Sequence, residues 1–180
     1  MASLKSLTKR PILTLLEIQT SLRSLQQIHT QLLVHALLHD PLSLNHLITT
    51  LSLHHNSPQS LLYSHHLLSH SLLSKPTLFS FNTLIRAFSK SPYPHHSLHH
   101  HNLILRYSLR PDNYTFNFLI RACAQLGMLC IGSSAHAAAM KRGFISDPHV
   151  RSGLIRMYAE SGSTEASKRV LTILNPPMLS

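Results

Sequence analysis

Three arginines close the same triplet, Leu84-Ile85-Arg86, Leu119-Ile120-Arg121 and Leu154-Ile155-Arg156, at a constant offset of 35 residues. Two residues before each triplet stands a small polar residue, Asn82, Asn117 or Ser152. The chain has 180 residues and a formal net charge of +10, with six acidic residues against sixteen Lys plus Arg. Such an excess suits a polyanionic partner: RNA, DNA or an anionic membrane surface. A second possible chemistry lies in the sixteen histidines. His95/His99 and His96/His100 have the four-residue spacing of two-ligand metal sites. No nearby Cys, Asp or Glu completes a tetrahedral set, so the segment reads as a hydrophilic helix face and no metal is expected. Cys123 and Cys130 form neither a Cys-x-x-Cys pair nor a disulfide framework, and both are expected as buried free thiols. There is no nucleophile elbow, phosphate loop or pair of carboxylates, so no enzyme and no cofactor are expected.

The elements that carry these residues follow from the period. Self-similarity every 35 residues means stacked repeats, and this length fits two helices of about a dozen residues plus two turns. The expected fold is all-α, an α-solenoid of stacked helix-turn-helix repeats. Five glycines and no tryptophan argue against a Gly-rich β-architecture, and 43% hydrophobic residues suffice for a core.

Residues 1–10 are basic, hydroxylated and acid-free, like the start of an organelle transit peptide or a frayed terminus. Apolar residues recur at helical spacing from Ile12 to Leu38, with a break near Thr20-Ser21, giving a hairpin over 11–40. Asp40-Pro41 ends it and opens the next helix. Asn45-His46-Leu47-Ile48 echoes Asn82-Thr83-Leu84-Ile85 at an offset of 37, which places a small insertion within Leu53 to Ser60. A second helix runs from about Ser60 to Leu73, and Lys75-Pro76-Thr77 closes the unit 41–77. Unit 78–112 has helices over Phe79–Ser89 and His96–Ser108. Unit 113–147 turns at Leu126-Gly127 and ends in a glycine cap at Gly143. Unit 148–178 has helices over His149–Glu160 and Thr164–Leu174 and stops at Pro176-Pro177. No run of 18 apolar residues occurs, so no membrane span is expected.

Phe81-Asn82-Thr83-Leu84-Ile85-Arg86-Ala87-Phe88-Ser89-Lys90, with Leu109-Arg110-Pro111-Asp112 at the unit's end, resembles a pentatricopeptide repeat. The unit lengths resemble the plant class that mixes three repeat variants. Residues 78–112 look like the standard variant. Residues 113–147, with Arg121-Ala122-Cys123-Ala124, Ala135-His136-Ala137 and Lys141-Arg142-Gly143-Phe144, look like the long one. Residues 148–178, with Met157-Tyr158-Ala159 and Ser161-Gly162, look like the short one. Residues 41–77 resemble a short variant with an insertion. Residues 6–40, through Gln26-Gln27-Ile28-His29-Thr30-Gln31, resemble a degenerate long variant, with 11–40 as its helical part. The resemblance covers nearly the whole chain.

It implies sequence-selective binding of single-stranded RNA in mitochondria or plastids, one repeat to one base. It also implies a role as specificity factor in RNA processing or editing, with processing or editing proteins as further partners. The fifth and last residues of each unit would read the base: Asn82 with Asp112, Asn117 with Asp147, Asn45 with Thr77, and Ser152 with Met178. For an Asn/Asp pair the resemblance implies uracil over cytosine; Met178 offers no useful hydrogen-bonding group. Phe79 and Tyr114, second in their units, present π-faces on which bases stack. Arg86, Arg121 and Arg156 lie one helical turn after the reading position, where with Lys90 they would hold phosphates. Two departures stand out. His100 and His101 replace large apolar residues, and Ser108 replaces a glycine at a helix end. The zinc signature of a C-to-U deaminase and the usual further repeats are missing, which reads as truncation. The alternatives are a protein-interaction scaffold of helical hairpins and a fragment without independent function.

Overall fold

A computed structural model describes residues 13–16, 21–55, 57–69 and 76–172, and all regular structure among them is helical. The fold is all-α, of the stacked-hairpin α-solenoid class. The chain divides into two compact units, Met1–Ala87 and Phe88–Ser180. The possible targeting segment 1–10, Lys75, Pro176-Pro177 and Met178 lie outside the described residues.

In the first unit a helical turn at 13–16 buries Leu16. Helix α1 spans Leu22–Val34 and buries Leu25, Ile28 and Leu32 on one stripe. Ser21 begins it, accepting a hydrogen bond from Ser24 N at 3.1 Å, which satisfies one of the orphan amides of the first turn. Helix α2, Pro41–Thr49, begins on Asp40, whose Oδ2 accepts from Ser43 N and Ser43 Oγ at 2.9 Å. Pro41 sits at the position where a missing N–H costs nothing. The chain continues as a π-helical stretch, Thr50–His55. A π-turn holds more residues than an α-turn, and this stretch overlaps the start of the segment Leu53 to Ser60 where an insertion is expected. Helix α3, Pro58–Ser69, starts two residues earlier than expected. Ser57 and Ser60 cap it reciprocally, at 2.9 and 3.1 Å. Helix α4 is Leu78–Phe88, and the unit boundary falls near its last residue.

The second unit contains α5 (His95–Arg106), α6 (Asn113–Leu126), α7 (Leu129–Lys141), α8 (Pro148–Glu160) and α9 (Thr164–Thr172). Helix α6 packs on both α7 and α8, and α8 packs on α9. Their shared core includes Phe116, Leu119, Ile120, Cys123, Val150, Leu154 and Met157. Turn chemistry sets the ends. Gly127 takes the left-handed conformation at φ 65°, and Met128 N reaches back to Cys123 O at 3.0 Å. Ser108 adopts the same conformation at φ 54°, with Leu109 N on Ile104 O at 3.0 Å. A serine thus occupies a Schellman position that glycine fills without strain. Ala36 also takes the left-handed conformation, at φ 52°, and nothing in its residue type announced it.

The triplets split by side chain. Leu84, Ile85, Leu119, Ile120 and Leu154 are buried, and each contributes about 1.5–3 kcal/mol by leaving water. Ile155 is only half-buried. Cys123 is buried and its thiol is pushed up to about 11 by that burial, but Cys130 is exposed. The expectation of two buried thiols is therefore corrected: Cys130 lies on the outer side of α7, whose buried residues are Gly132, Ala135 and Ala139. His100 is fully buried and stacks on Phe88, with centroids 5.7 Å apart and planes 24° from parallel. The ring contact lets an imidazole stand where an apolar side chain is expected. His101 is half-buried, and burial, followed by the charge of Arg142, holds its pKa below the usual histidine range.

Candidate nucleic-acid interface

In the first unit, Asn45 lies on α2 and Thr77 just ahead of α4. Asn45 Oδ1 accepts hydrogen bonds from Thr77 Oγ1 at 3.0 Å and from Ser80 Oγ. The structure thus joins the fifth and last residues of the unit 41–77 directly. Both contacts engage the amide oxygen, which leaves Nδ2 as the donor available to a ligand. Beside it opens a shallow cleft of about 320 Å³, lined by Leu42, Asn45, His46, Thr49 and Phe79. Leu42 is 60% exposed and Phe79 56%, so two apolar faces flank a polar amide. Leu42 was not singled out from sequence; its place second in its unit, like Phe79, is the signal that finds it. Asn82 is half-buried and Arg86 exposed on the same helix as Phe79.

In the second unit, Tyr114 near the start of α6 is 58% exposed, and Asn117 one turn on is half-buried. Asp112 and Asp147 are helix caps as well as candidate readers. Asp112 forms a reciprocal capping box with Thr115: its Oδ1 accepts from Thr115 N at 2.9 Å, and its own N–H donates to Thr115 Oγ1 at 3.2 Å. Asp147 Oδ1 accepts from His149 N and Val150 N, at 2.9 and 3.0 Å. Its Oδ2 accepts from Asn113 Nδ2 at 2.8 Å, so its side-chain partner is the first residue of the repeat and not Asn117. Partial burial pushes the Asp147 carboxyl up, but the bonds from Asn113, Val150 and His149, with the charge of His149, outweigh it and hold the group below its usual range. Ser152 is exposed and donates its hydroxyl to Pro148 O at 2.8 Å.

Lys90, Arg121 and Arg156 meet around one open cleft of about 410 Å³, together with Gln125 and Glu160. Three of the four cations expected to hold phosphates are therefore neighbours in this unit; Arg86 belongs to the other. Arg156 Nε donates to Glu160 Oε1 at 2.7 Å, and the two side chains are 65% and 43% exposed. Gln125 Nε2 donates to Ser91 O at 3.1 Å. Gln125 and Glu160 were not singled out from sequence, although they stand 35 and 70 residues after Lys90. Among the described residues no group of three His, Cys, Asp or Glu side chains is placed to hold a metal ion, and no helix is long and apolar enough to cross a membrane.

No family model matches the chain. Curated relatives do. The chain is 37% identical over 171 residues, 94% of its length, to a putative pentatricopeptide repeat-containing protein of Arabidopsis thaliana. It is 32% identical over 168 residues, 89% of its length, to a second such protein of that plant. It is 31% identical over 163 residues to a third, which is named as mitochondrial. The chain spans about a quarter of these relatives, 27%, 27% and 23% of their lengths.

Proposed function

The chain belongs to the pentatricopeptide repeat family, and from that premise we propose that it binds single-stranded RNA, one base to a repeat, as a specificity factor in organellar RNA processing or editing. The observation that carries this reading is the cleft of the first unit, where an amide stands between two exposed apolar faces, Leu42 and Phe79. A base slid between those faces loses apolar surface to water while Asn45 Nδ2 donates to a carbonyl on its edge. Exposed Tyr114 and half-buried Asn117 repeat the pairing of ring and amide in the second unit. Asn82 with Asp112 reads uracil over cytosine; Asn117 with Asp147 reads a pyrimidine. Ser152 contributes little, since its hydroxyl proton is already committed to Pro148. Lys90 and Arg121, and Arg86 in the first unit, hold phosphates. The site of action is the mitochondrion or plastid; one relative is named as mitochondrial.

The test is selection of bound sequences from a random RNA pool by the folded chain, with helicity checked by circular dichroism. The expected result is enrichment of a short motif carrying uracil at the Asn82 position. Equal retention of uracil, cytosine and purines there sinks base reading and favours a protein-interaction scaffold.

A further inference from the structure

Lys90, Gln125 and Glu160 stand at successive offsets of 35 residues, so they occupy one position in three consecutive repeats. All three line the same cleft, alongside Arg121 and Arg156. The column therefore runs cation, amide, carboxylate along the path a strand would take. Four residues separate Arg121 from Gln125 and Arg156 from Glu160, the spacing that places two side chains on one helix face. Gln125 turns to the backbone of Ser91 instead. Glu160 turns to its arginine, at 2.7 Å. Among the described residues Lys90 and Arg121 make no ion pair, while Arg156 already has an anionic oxygen against its guanidinium.

Nothing in the architecture of α8 calls for an acid at this place. Glu160 is the last residue of the helix, where the dipole disfavours a negative charge. The pair runs Arg to Glu along the chain, the weaker of the two orders on a helix. Both side chains are largely in water, so their pairing adds little to stability.

We infer that Glu160 masks Arg156 as a phosphate would, and so ends the phosphate-binding track of this unit at Arg121. The inference rests on reading the cleft as an RNA backbone site. It makes the three arginines unequal: Arg121, with Lys90, holds the strand, and Arg156 is withheld. A phosphate arriving at Arg156 meets a carboxylate already held on the guanidinium Nε and is repelled by it.

The experiment measures binding of the full chain to a fluorescent uridine oligonucleotide, and separately to inorganic polyphosphate, across a range of salt. Glu160→Gln is expected to tighten binding of the oligonucleotide about three- to tenfold at low salt and to steepen its salt slope by about 0.7, one phosphate contact on a single strand. Arg156→Gln is expected to leave that slope unchanged in the native background, yet to abolish the gain in the Glu160→Gln background. The inference is overturned if Arg156→Gln alone flattens the slope by about 0.7 while Glu160→Gln changes nothing. Polyphosphate carries no bases and separates the two readings. If Glu160→Gln improves its binding while no oligonucleotide binds, the masking stands and the RNA reading falls. If the oligonucleotide binds and Arg156→Gln weakens it on its own, the RNA reading stands and the masking falls. Failure to bind either polyanion overturns both.

Discussion

Asp40, Thr77, Asp112 and Asp147 each stand immediately before a helix and accept a hydrogen bond from its first turn. Thr77, Asp112 and Asp147, expected to read bases at the ends of their units, are therefore also the N-caps of the next first helix, which fixes each side chain before any RNA arrives. Asp147 is committed through both oxygens, with two backbone donors on Oδ1 and Asn113 on Oδ2. Lys90 and Arg121 stand at the other extreme: exposed, without ion pairs among the described residues, and side by side at one cleft. Replacing both by glutamine is expected to flatten the salt dependence of RNA affinity by about 1.4, two single-strand phosphate contacts, with helicity unchanged. An unaltered slope in a binding titration would remove them from the phosphate track. The recurrence of its triplet singles out Arg121 in the sequence; that Asp147 binds Asn113 and not Asn117 was not legible there, because a carboxylate's partner depends on how two helices settle.

At the scale of elements, α7 approaches its neighbours through small residues. A β-carbon added at Gly132 would lie 2.1 Å from Met157 Sδ and 3.4 Å from Cys123 Cβ. Met157 is itself buried, so it has little room to withdraw. Gly132→Ala should therefore destabilise the second unit by about 1–3 kcal/mol, although alanine is the better helix former by about 1 kcal/mol. Urea denaturation measures the balance; a variant as stable as the parent would mean that Met157 yields freely. The glycine's role could not be read from the segment Leu129–Lys141, where it looks like a helix-weakening residue. Only the close packing of α7 on α6 and α8 explains it.

For the molecule as a whole, the histidines couple stability to pH. His29 Nδ1 lies 2.6 Å from Tyr63 OH, and His136 Nδ1 lies 2.9 Å from Tyr158 OH. Burial lowers the pKa of both, as it does for His101, where Arg142 adds to the effect. A histidine whose folded-state pKa is depressed binds a proton more readily when the chain unfolds. Its contribution is intact above the ordinary value of 6.5 and is lost as pH falls below it. Thermal midpoints at pH 7.5 and pH 5.5 should differ, the acid value being lower, and Arg142→Gln should narrow the gap. Equal midpoints would show that these rings titrate freely in the folded chain.

What the sequence determined by itself is what short-range physics governs. Helix periodicity, proline and aspartate at helix starts, glycine at helix ends and the 35-residue offset are local features. They specified stacked helical hairpins, buried Leu84, Leu119 and Leu154, and put Arg86, Arg121 and Arg156 at the surface. The tertiary structure decided what comes from far along the chain. It brought Thr77 and Ser80 to Asn45, Phe79 beside Leu42, Tyr63 to His29 and Met157 against Gly132, and it left Cys130 outside. A period says which side chains share a face of one helix. It does not say which faces of two hairpins press together, because that depends on the shapes and volumes that meet when they stack.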